Sequence, residues 1–156
     1  MKRFLIIIMV IFVLTLLLPY IIISKLCGIY TPPGAKKSEP YEKISVYVKN
    51  EDKVCRMDMS QYLKEVVAAE MPAEFEPEAL KAQAVAARTY FVNRKKAGNE
   101  EAKKEHKGAD ICTDSTHCKA WMSEEARKNA WGAEKAEEYR KKISDAVDST
   151  SGVIIT

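Results

Sequence analysis

The chain has 156 residues, with 25 lysines and arginines against 22 aspartates and glutamates, which gives a formal net charge of +3 at pH 7. This length suits one domain with short appendages. So small a net charge excludes the strongly basic surface that nucleic-acid-binding proteins present. Lysines and glutamates are interspersed along most of the chain, a pattern typical of solvated helix faces.

The N-terminal part is the most apolar stretch of the chain. Residues Phe4–Ser24 are almost all apolar and follow Lys2 and Arg3. A run of about 20 apolar residues is long enough to cross a bilayer, and basic residues on its short flank favour a cytoplasmic N-terminus. A cleaved signal peptide is the alternative, but no small-residue cleavage site follows the run. We therefore expect a single-pass anchor within residues 1–30, with the remaining chain outside the cytoplasm.

Residues 31–41 include three prolines, a composition typical of an extended linker. After this linker, Ile44–Val48 alternates apolar and polar residues, Asn50–Asp52 is suited to a turn, and Lys53–Met57 can return as a second strand. The pattern predicts a β-hairpin that places three apolar side chains on one face: Ile44, Val46 and Val48.

A first helix is predicted from the apolar residues that recur at helical spacing after Ser60, which can cap it. The helix should end near Glu70, because the residue before Pro72 is disfavoured in the helical region. The small apolar residues before Glu70 would leave its carboxyl group at a lip without charged sequence neighbours. A carboxyl group in that position is a candidate general acid, although it can also simply solvate a helix end.

Two further helices are predicted by their start and stop signals. Pro77 suits the first turn of a helix that runs to about Lys96, with Gly98 as its stop. A later helix begins within Ser123–Lys128, is interrupted at Gly132, and continues with apolar residues at helical spacing.

Four residues of the types that bind zinc lie within thirteen positions, in the pattern His-x5-Cys-x4-His-Cys: His106, Cys112, His117 and Cys118. A disulfide between Cys112 and Cys118 is the first alternative, because disulfides persist outside the cytoplasm. Unrelated loop residues are the second. The spacing is not a familiar zinc pattern, so it leaves the three possibilities open.

Two stretches carry a resemblance to a known family: Ala68–Pro72 with Phe75, and Glu78–Tyr90. Together they closely resemble the signature of the stage II sporulation protein D family, which also includes amidase-enhancer proteins. The resemblance implies a lytic transglycosylase, a lyase that cleaves peptidoglycan between N-acetylmuramic acid and N-acetylglucosamine during engulfment. Its product would carry a 1,6-anhydro ring, and its single catalytic acid would be Glu70. The alternative is a non-catalytic, glycan-binding enhancer of a cell-wall amidase.

The resemblance also bears on the metal pattern. Residues Cys112–Cys118 look like the cysteine-bearing loop of this family, whose clostridial-type members bind zinc through two cysteines and two histidines at matching places. It therefore implies a structural Zn²⁺ held by the four residues named above, since four protein ligands leave no position for water. We expect Asp110 or Asp114 to accept a hydrogen bond from an imidazole N–H.

The resemblance covers residues 42–156, which correspond to only the first part of the family domain. Val153–Ile155 looks like the start of a strand. The predicted fold is α+β: an N-terminal transmembrane helix, a β-hairpin and several helices, in an incomplete domain. The implied partners are peptidoglycan, the amidase/endopeptidase stage II sporulation protein P and the membrane protein M of that stage. The implied location is the cell membrane, with the domain in the intermembrane space during engulfment.

Overall fold

The computed structural model describes residues 39–98 and 100–156, together with Met9, Phe12, Val13 and Thr15. The chain divides into two units, and the fold presented here is that of the second, Lys36–Thr156. Its strands and helices are, in chain order, β1 (Lys43–Val48), β2 (Lys53–Asp58), α1 (Met59–Glu70), α2 (Pro77–Ala97), α3 (Glu100–Glu105), β3 (Ile111–Cys112) and α4 (Glu124–Ser149).

A small three-stranded sheet has the order β2-β1-β3. β1 and β2 are antiparallel and form the predicted hairpin. Ile44, Val46 and Val48 are at most 4% exposed, which confirms the predicted apolar face. β3 pairs with β1 in parallel, with Ile111 opposite Val46. The sequence pattern did not predict β3, because a strand of two residues is too short to show an alternation.

The apolar face of the sheet and helices α1, α2 and α4 enclose the hydrophobic core. Large side chains from each helix are at most 1% exposed there, among them Leu63, Val66, Leu80, Phe91 and Ile143. This burial is the main favourable term for the fold. It fixes α1, which carries the candidate acid, against α2 and α4.

The predicted cap of α1 is wrong. The helix begins two residues earlier than this cap implies, at Met59, with Asp58 in the N-cap position and no side-chain capping bond. Ser60 lies inside the helix instead, and its Oγ donates to Asp148 of α4 at 3.1 Å. The hydroxyl therefore joins two helices rather than starting one.

The ends of α1 and α2 follow the predicted signals. α1 ends at Glu70, and Met71 is extended (φ −142°, ψ 133°), as expected for a residue before Pro72. Pro77 occupies the first turn of α2, and Gly98 ends the helix in the left-handed conformation (φ 59°).

Gly132 interrupts α4, as predicted, with φ 71° and ψ 159°. Ser123 caps the helix, and its side chain accepts a hydrogen bond from the backbone N–H of Ala126 at 3.2 Å. The two halves of α4 therefore meet at a kink rather than in a continuous helix.

The strand expected at Val153–Ile155 is absent from the described structure, where this segment has no strand pairing. Side chains of α2 use its backbone groups instead. The carbonyl of Val153 accepts from Arg88 at 3.3 Å, and the N–H of Ile155 donates to Thr89 Oγ1 at 3.0 Å. The segment lies along α2.

The expectations of an N-terminal transmembrane helix and of a single-pass membrane location are corrected by the structure. Among the described residues, no helix is both long enough and apolar enough to cross a bilayer. The long described helices α2 and α4 carry charged residues throughout, such as Lys81, Arg88 and Arg140. The predicted span Phe4–Ser24 lies outside the described residues, apart from the four named above.

Candidate active site and metal centre

Glu70 is the last residue of α1, and the chain leaves the helix immediately after it. Val66 and Val67, one turn earlier, are fully buried. The side chain of Glu70 itself is 22% exposed to solvent. The carboxylate therefore lies at the boundary between the apolar core and solvent, as the sequence predicted.

The carboxylate of Glu70 has two partners in the segment Lys119–Met122, here named the Glu70 loop. The backbone N–H of Ala120 donates to Oε1 at 2.7 Å, and Lys119 Nζ lies 3.3 Å from Oε2. Lys119 Nζ also lies 5.7 Å from the centre of the Tyr90 ring. The sequence showed no charge beside Glu70, because its cation comes from 49 positions along the chain. Both partners are hydrogen-bond donors, so both side-chain oxygens of Glu70 act as acceptors.

The four predicted metal ligands come together. The ligand atoms of His106, Cys112, His117 and Cys118 all lie within 4.8 Å of one another. His106 Nε2 is 2.9 Å from His117 Nδ1, Cys118 Sγ is 3.4 Å from His106 Nε2, and Cys112 Sγ is 3.7 Å from His117 Nδ1. A tetrahedral zinc ion with ordinary bond lengths would place such atoms about 3.3 to 3.8 Å apart. Both sulfur–nitrogen distances lie in this range, and the two imidazole nitrogens are closer together. The group could therefore hold a metal ion.

Three local structures hold the four ligands. His106 directly follows α3 and is 1% exposed, and Cys112 belongs to β3 and is 3% exposed. His117 and Cys118 lie in a turn where both backbone N–H groups donate to the carbonyl of Asp114, at 3.1 and 2.7 Å. Cys112 and Cys118 are free cysteines in this structure.

The electrostatics of the group favour the neutral imidazole that a divalent cation needs at His106 but disfavour the thiolate at Cys112. Burial, and then the neighbouring His117, lower the pKa of His106, so this imidazole is neutral and can ligate. Burial raises the pKa of Cys112 to about 11. A buried thiolate therefore requires a compensating cation, which a bound metal would supply.

The expected acceptors for the imidazole N–H groups have other partners. Asp110 accepts from Lys95 at 2.8 Å and from the backbone N–H of Ser45 at 3.0 Å. Asp114 forms an ion pair with Lys49 and accepts from the backbone N–H of Thr116 at 3.0 Å. These two aspartates order the strands and the turn around the ligands.

The carboxylate that lies beside an imidazole nitrogen is that of Glu105, a residue that the sequence analysis did not single out. Its Oε2 lies 2.9 Å from Nε2 of His117. Arg94 Nη2 lies 3.0 Å from the same nitrogen, and the two contacts require opposite tautomers. A metal bound at Nδ1 would select the tautomer whose Nε2–H donates to Glu105. The only sequence signal for this role of Glu105 is its position next to His106, and many charged residues surround it.

Comparison with known sequences shows the family to which this chain is similar. A sequence model of the stage II sporulation protein family (SpoIID) matches residues 47–156, a range that includes Glu70 and the four clustered ligands. The chain is 36% identical over 174 residues to stage II sporulation protein D of Bacillus subtilis (strain 168), covering 100% of this chain and 50% of the relative.

The protein of the same name from Bacillus amyloliquefaciens is 37% identical over 132 residues, which cover 81% of this chain and 37% of the relative. The chain thus spans half or less of the length of these curated relatives. The family match nevertheless extends over most of this chain. The chain belongs to the stage II sporulation protein family, SpoIID, which is involved in sporulation.

Proposed function

We propose that this chain carries the catalytic acid of a lytic transglycosylase, which cleaves peptidoglycan between N-acetylmuramic acid and N-acetylglucosamine. The observation that supports the proposal is the position of Glu70. It ends α1 at the edge of the core, remains 22% exposed, and is oriented by two donors from the Glu70 loop. A partly exposed, oriented carboxyl group is what proton transfer to a bound sugar requires.

In the proposed reaction, Glu70 first donates its proton to the glycosidic oxygen as the bond from C1 of the muramyl residue breaks. The N–H of Ala120 and the ammonium group of Lys119 then stabilise the resulting carboxylate. Glu70 next accepts the proton of the muramyl 6-hydroxyl as that oxygen bonds to C1. The product contains a 1,6-anhydro ring, the acid is regenerated, and no water is consumed.

This reaction needs one carboxylate where most glycoside hydrolases use two, separated by about 5 to 9.5 Å. The intramolecular hydroxyl replaces the second group. Two of the acids that follow Glu70 in sequence have other partners in the structure. Glu74 accepts from the Tyr139 hydroxyl at 3.0 Å, and Glu78 pairs with Lys81 at 2.7 Å near the start of α2.

We propose further that His106, Cys112, His117 and Cys118 hold a structural Zn²⁺. Four protein ligands would close the site, so the ion would supply a cross-link rather than a reactive water. Cys118 directly precedes Lys119, the first residue of the Glu70 loop. Fixing Cys118 would therefore restrict the loop that orients Glu70.

The test of the enzymatic proposal is the release of soluble fragments from labelled peptidoglycan by the purified protein. We expect wild-type protein to release fragments and Glu70→Gln to release none. Glu78→Gln, a change at an acid that is 82% exposed, should retain activity. Equal release by wild type and Glu70→Gln would refute the role of Glu70. Glycan binding without release by the wild type would favour the amidase-enhancer alternative.

The metal proposal has a separate test in the metal content of the purified protein. We expect about one zinc ion per chain, lost in Cys112→Ala and retained in Cys55→Ala. Cys55 is a matched control because it is a free cysteine in β2, outside the ligand group. Metal-free wild-type protein with a bond between Cys112 and Cys118 would refute the zinc site.

On the resemblance alone, we propose the stage II sporulation protein P, an amidase/endopeptidase, and the membrane protein M as partners. An enzyme that cuts glycan strands and one that removes their peptides act on the same polymer. Co-purification with either protein tests this part of the proposal, and its absence with both would contradict it.

A further inference from the structure

A second carboxylate on α1, Glu65, is buried and fully engaged. Its side chain is 8% exposed, and Glu65 lies five residues before Glu70. Oε2 accepts from the indole N–H of Trp121 at 2.7 Å, and Oε1 accepts from Gln61 at 2.7 Å. Arg127 Nη2 lies 3.8 Å from Oε1. Burying a carboxylate is costly unless it is hydrogen-bonded and paired, and these contacts meet that condition.

The same residue also binds the backbone of the Glu70 loop. The N–H of Met122 donates to the backbone carbonyl of Glu65 at 3.3 Å. Glu65 therefore holds two consecutive residues, Trp121 through its side chain and Met122 through its main chain. Ala120 and Lys119, which precede them, contact Glu70. The loop thus lies along α1 and is attached to it at Glu65 and at Glu70.

We infer that Glu65 is a positioning residue for Glu70: through Trp121 it fixes the loop so that the N–H of Ala120 reaches the Glu70 carboxylate. It does not touch the reacting atoms. Its kinetic consequence rests on the proposed function, whereas its effect on the loop does not. Removing its carboxylate frees the indole of Trp121 and leaves the loop attached through Lys119, Ala120 and the N–H of Met122.

The test compares Glu65→Ala and Trp121→Phe with wild type. Trp121→Phe removes only the donor and keeps an aromatic ring, so it remains informative if Glu65→Ala fails to fold. Lys64→Met is the control, because Lys64 lies beside Glu65 in sequence and pairs with Asp148 of α4. Glu65→Gln retains an acceptor oxygen for the indole and should restore part of the wild-type behaviour.

The first measurement is amide hydrogen exchange by NMR. In Glu65→Ala and Trp121→Phe we expect the Ala120 amide to exchange about 10-fold faster or more. The amide of Ala84 in the centre of α2 should be unchanged. The second measurement is turnover of glycan strands, where kcat should fall about 10- to 100-fold with little change in KM, since the lost contact orients the acid.

Unchanged exchange at Ala120 in both variants would overturn the inference. Equal acceleration at Ala120 and Ala84 would also overturn it, because it would show a general loss of stability. A faster Ala120 amide with unchanged kcat would refute the link to catalysis. If wild-type protein has no activity, the proposed function fails, and the exchange measurement alone decides whether Glu65 positions the loop.

Discussion

Replacing Arg88 by methionine should be among the most destabilising changes in the described structure. Arg88 lies on α2 with a fully buried side chain and forms a two-pronged ion pair with Glu39, at 2.8 and 2.9 Å. It also donates to the carbonyls of Val147 and Val153, at 3.2 and 3.3 Å. One guanidinium therefore joins α2 to the end of α4, to the segment after it, and to the segment before β1.

The magnitude follows from what the change leaves behind. Methionine retains the length of the side chain but provides no donor, so the Glu39 carboxylate, 12% exposed, loses its cation. The carbonyl of Val153 loses its donor as well, whereas that of Val147 keeps the N–H and hydroxyl of Thr150. Breaking a buried pair by removing one member costs about 3 to 5 kcal/mol. Lys43→Met is a suitable contrast, because Lys43 and Asp58 are 58% and 60% exposed and such a pair contributes about 1 kcal/mol or less.

Urea unfolding monitored by circular dichroism measures both variants. With a slope of about 2 kcal/mol/M, the expected loss lowers the midpoint for Arg88→Met by about 2 M. Lys43→Met should stay within about 0.5 M of wild type. If Arg88→Met lowers the free energy of unfolding as little as Lys43→Met does, the assignment of Arg88 as a buried residue that joins these elements is refuted.

Asp110→Asn should lower the free energy of unfolding near neutral pH. Burial alone would raise the pKa of Asp110, but the donors Lys95 and Ser45 outweigh it and hold that pKa below its ordinary 3.8. The stabilisation is therefore present above pH 3.8 and is lost as the pH falls through the lower pKa of the folded state. The free energies of unfolding of wild type and Asp110→Asn should then become equal in acid. A difference between them that persists in acid would contradict this origin. Gly132→Ala should cost about 1 to 3 kcal/mol although nothing lies within 4 Å of the added carbon, because φ 71° with ψ 159° is a region for glycine. Unfolding of Gly132→Ala at the wild-type urea midpoint would contradict that strain.

Local signals in the sequence predicted the hairpin and the helix ends of the domain that contains Glu70. Alternation in β1 determined which side chains are buried, since only one face of the hairpin meets the core. Pro72 and Gly98 determined where two helices end, because their backbone preferences act within one or two residues. Two of the failures, the cap of α1 and the C-terminal strand, have a common cause. Ser60 and Val153–Ile155 form bonds with distant helices, and these contacts override the local preference.

The candidate site was predictable in its residue types but not in its surroundings. The density of histidine and cysteine in a short stretch singled out the four residues that the structure brings together. The spacing alone left a disulfide and unrelated loop residues as alternatives, and the resemblance to the family implied the metal. Lys119 and Ala120 reach Glu70 only through the return of the chain after the ligand group. Glu65 resembles an ordinary helix-surface acid until the indole of Trp121 is placed against it.

The central claim is that Glu70 transfers the proton to and from the glycan without a second acid and without water. Mass spectrometry of the fragments released from purified glycan strands in heavy-oxygen water tests it most directly. The account predicts fragments that end in a 1,6-anhydro ring, contain no oxygen from solvent, and disappear with Glu70→Gln. Fragments that incorporate solvent oxygen, or that persist at the wild-type rate with Glu70→Gln, would contradict it.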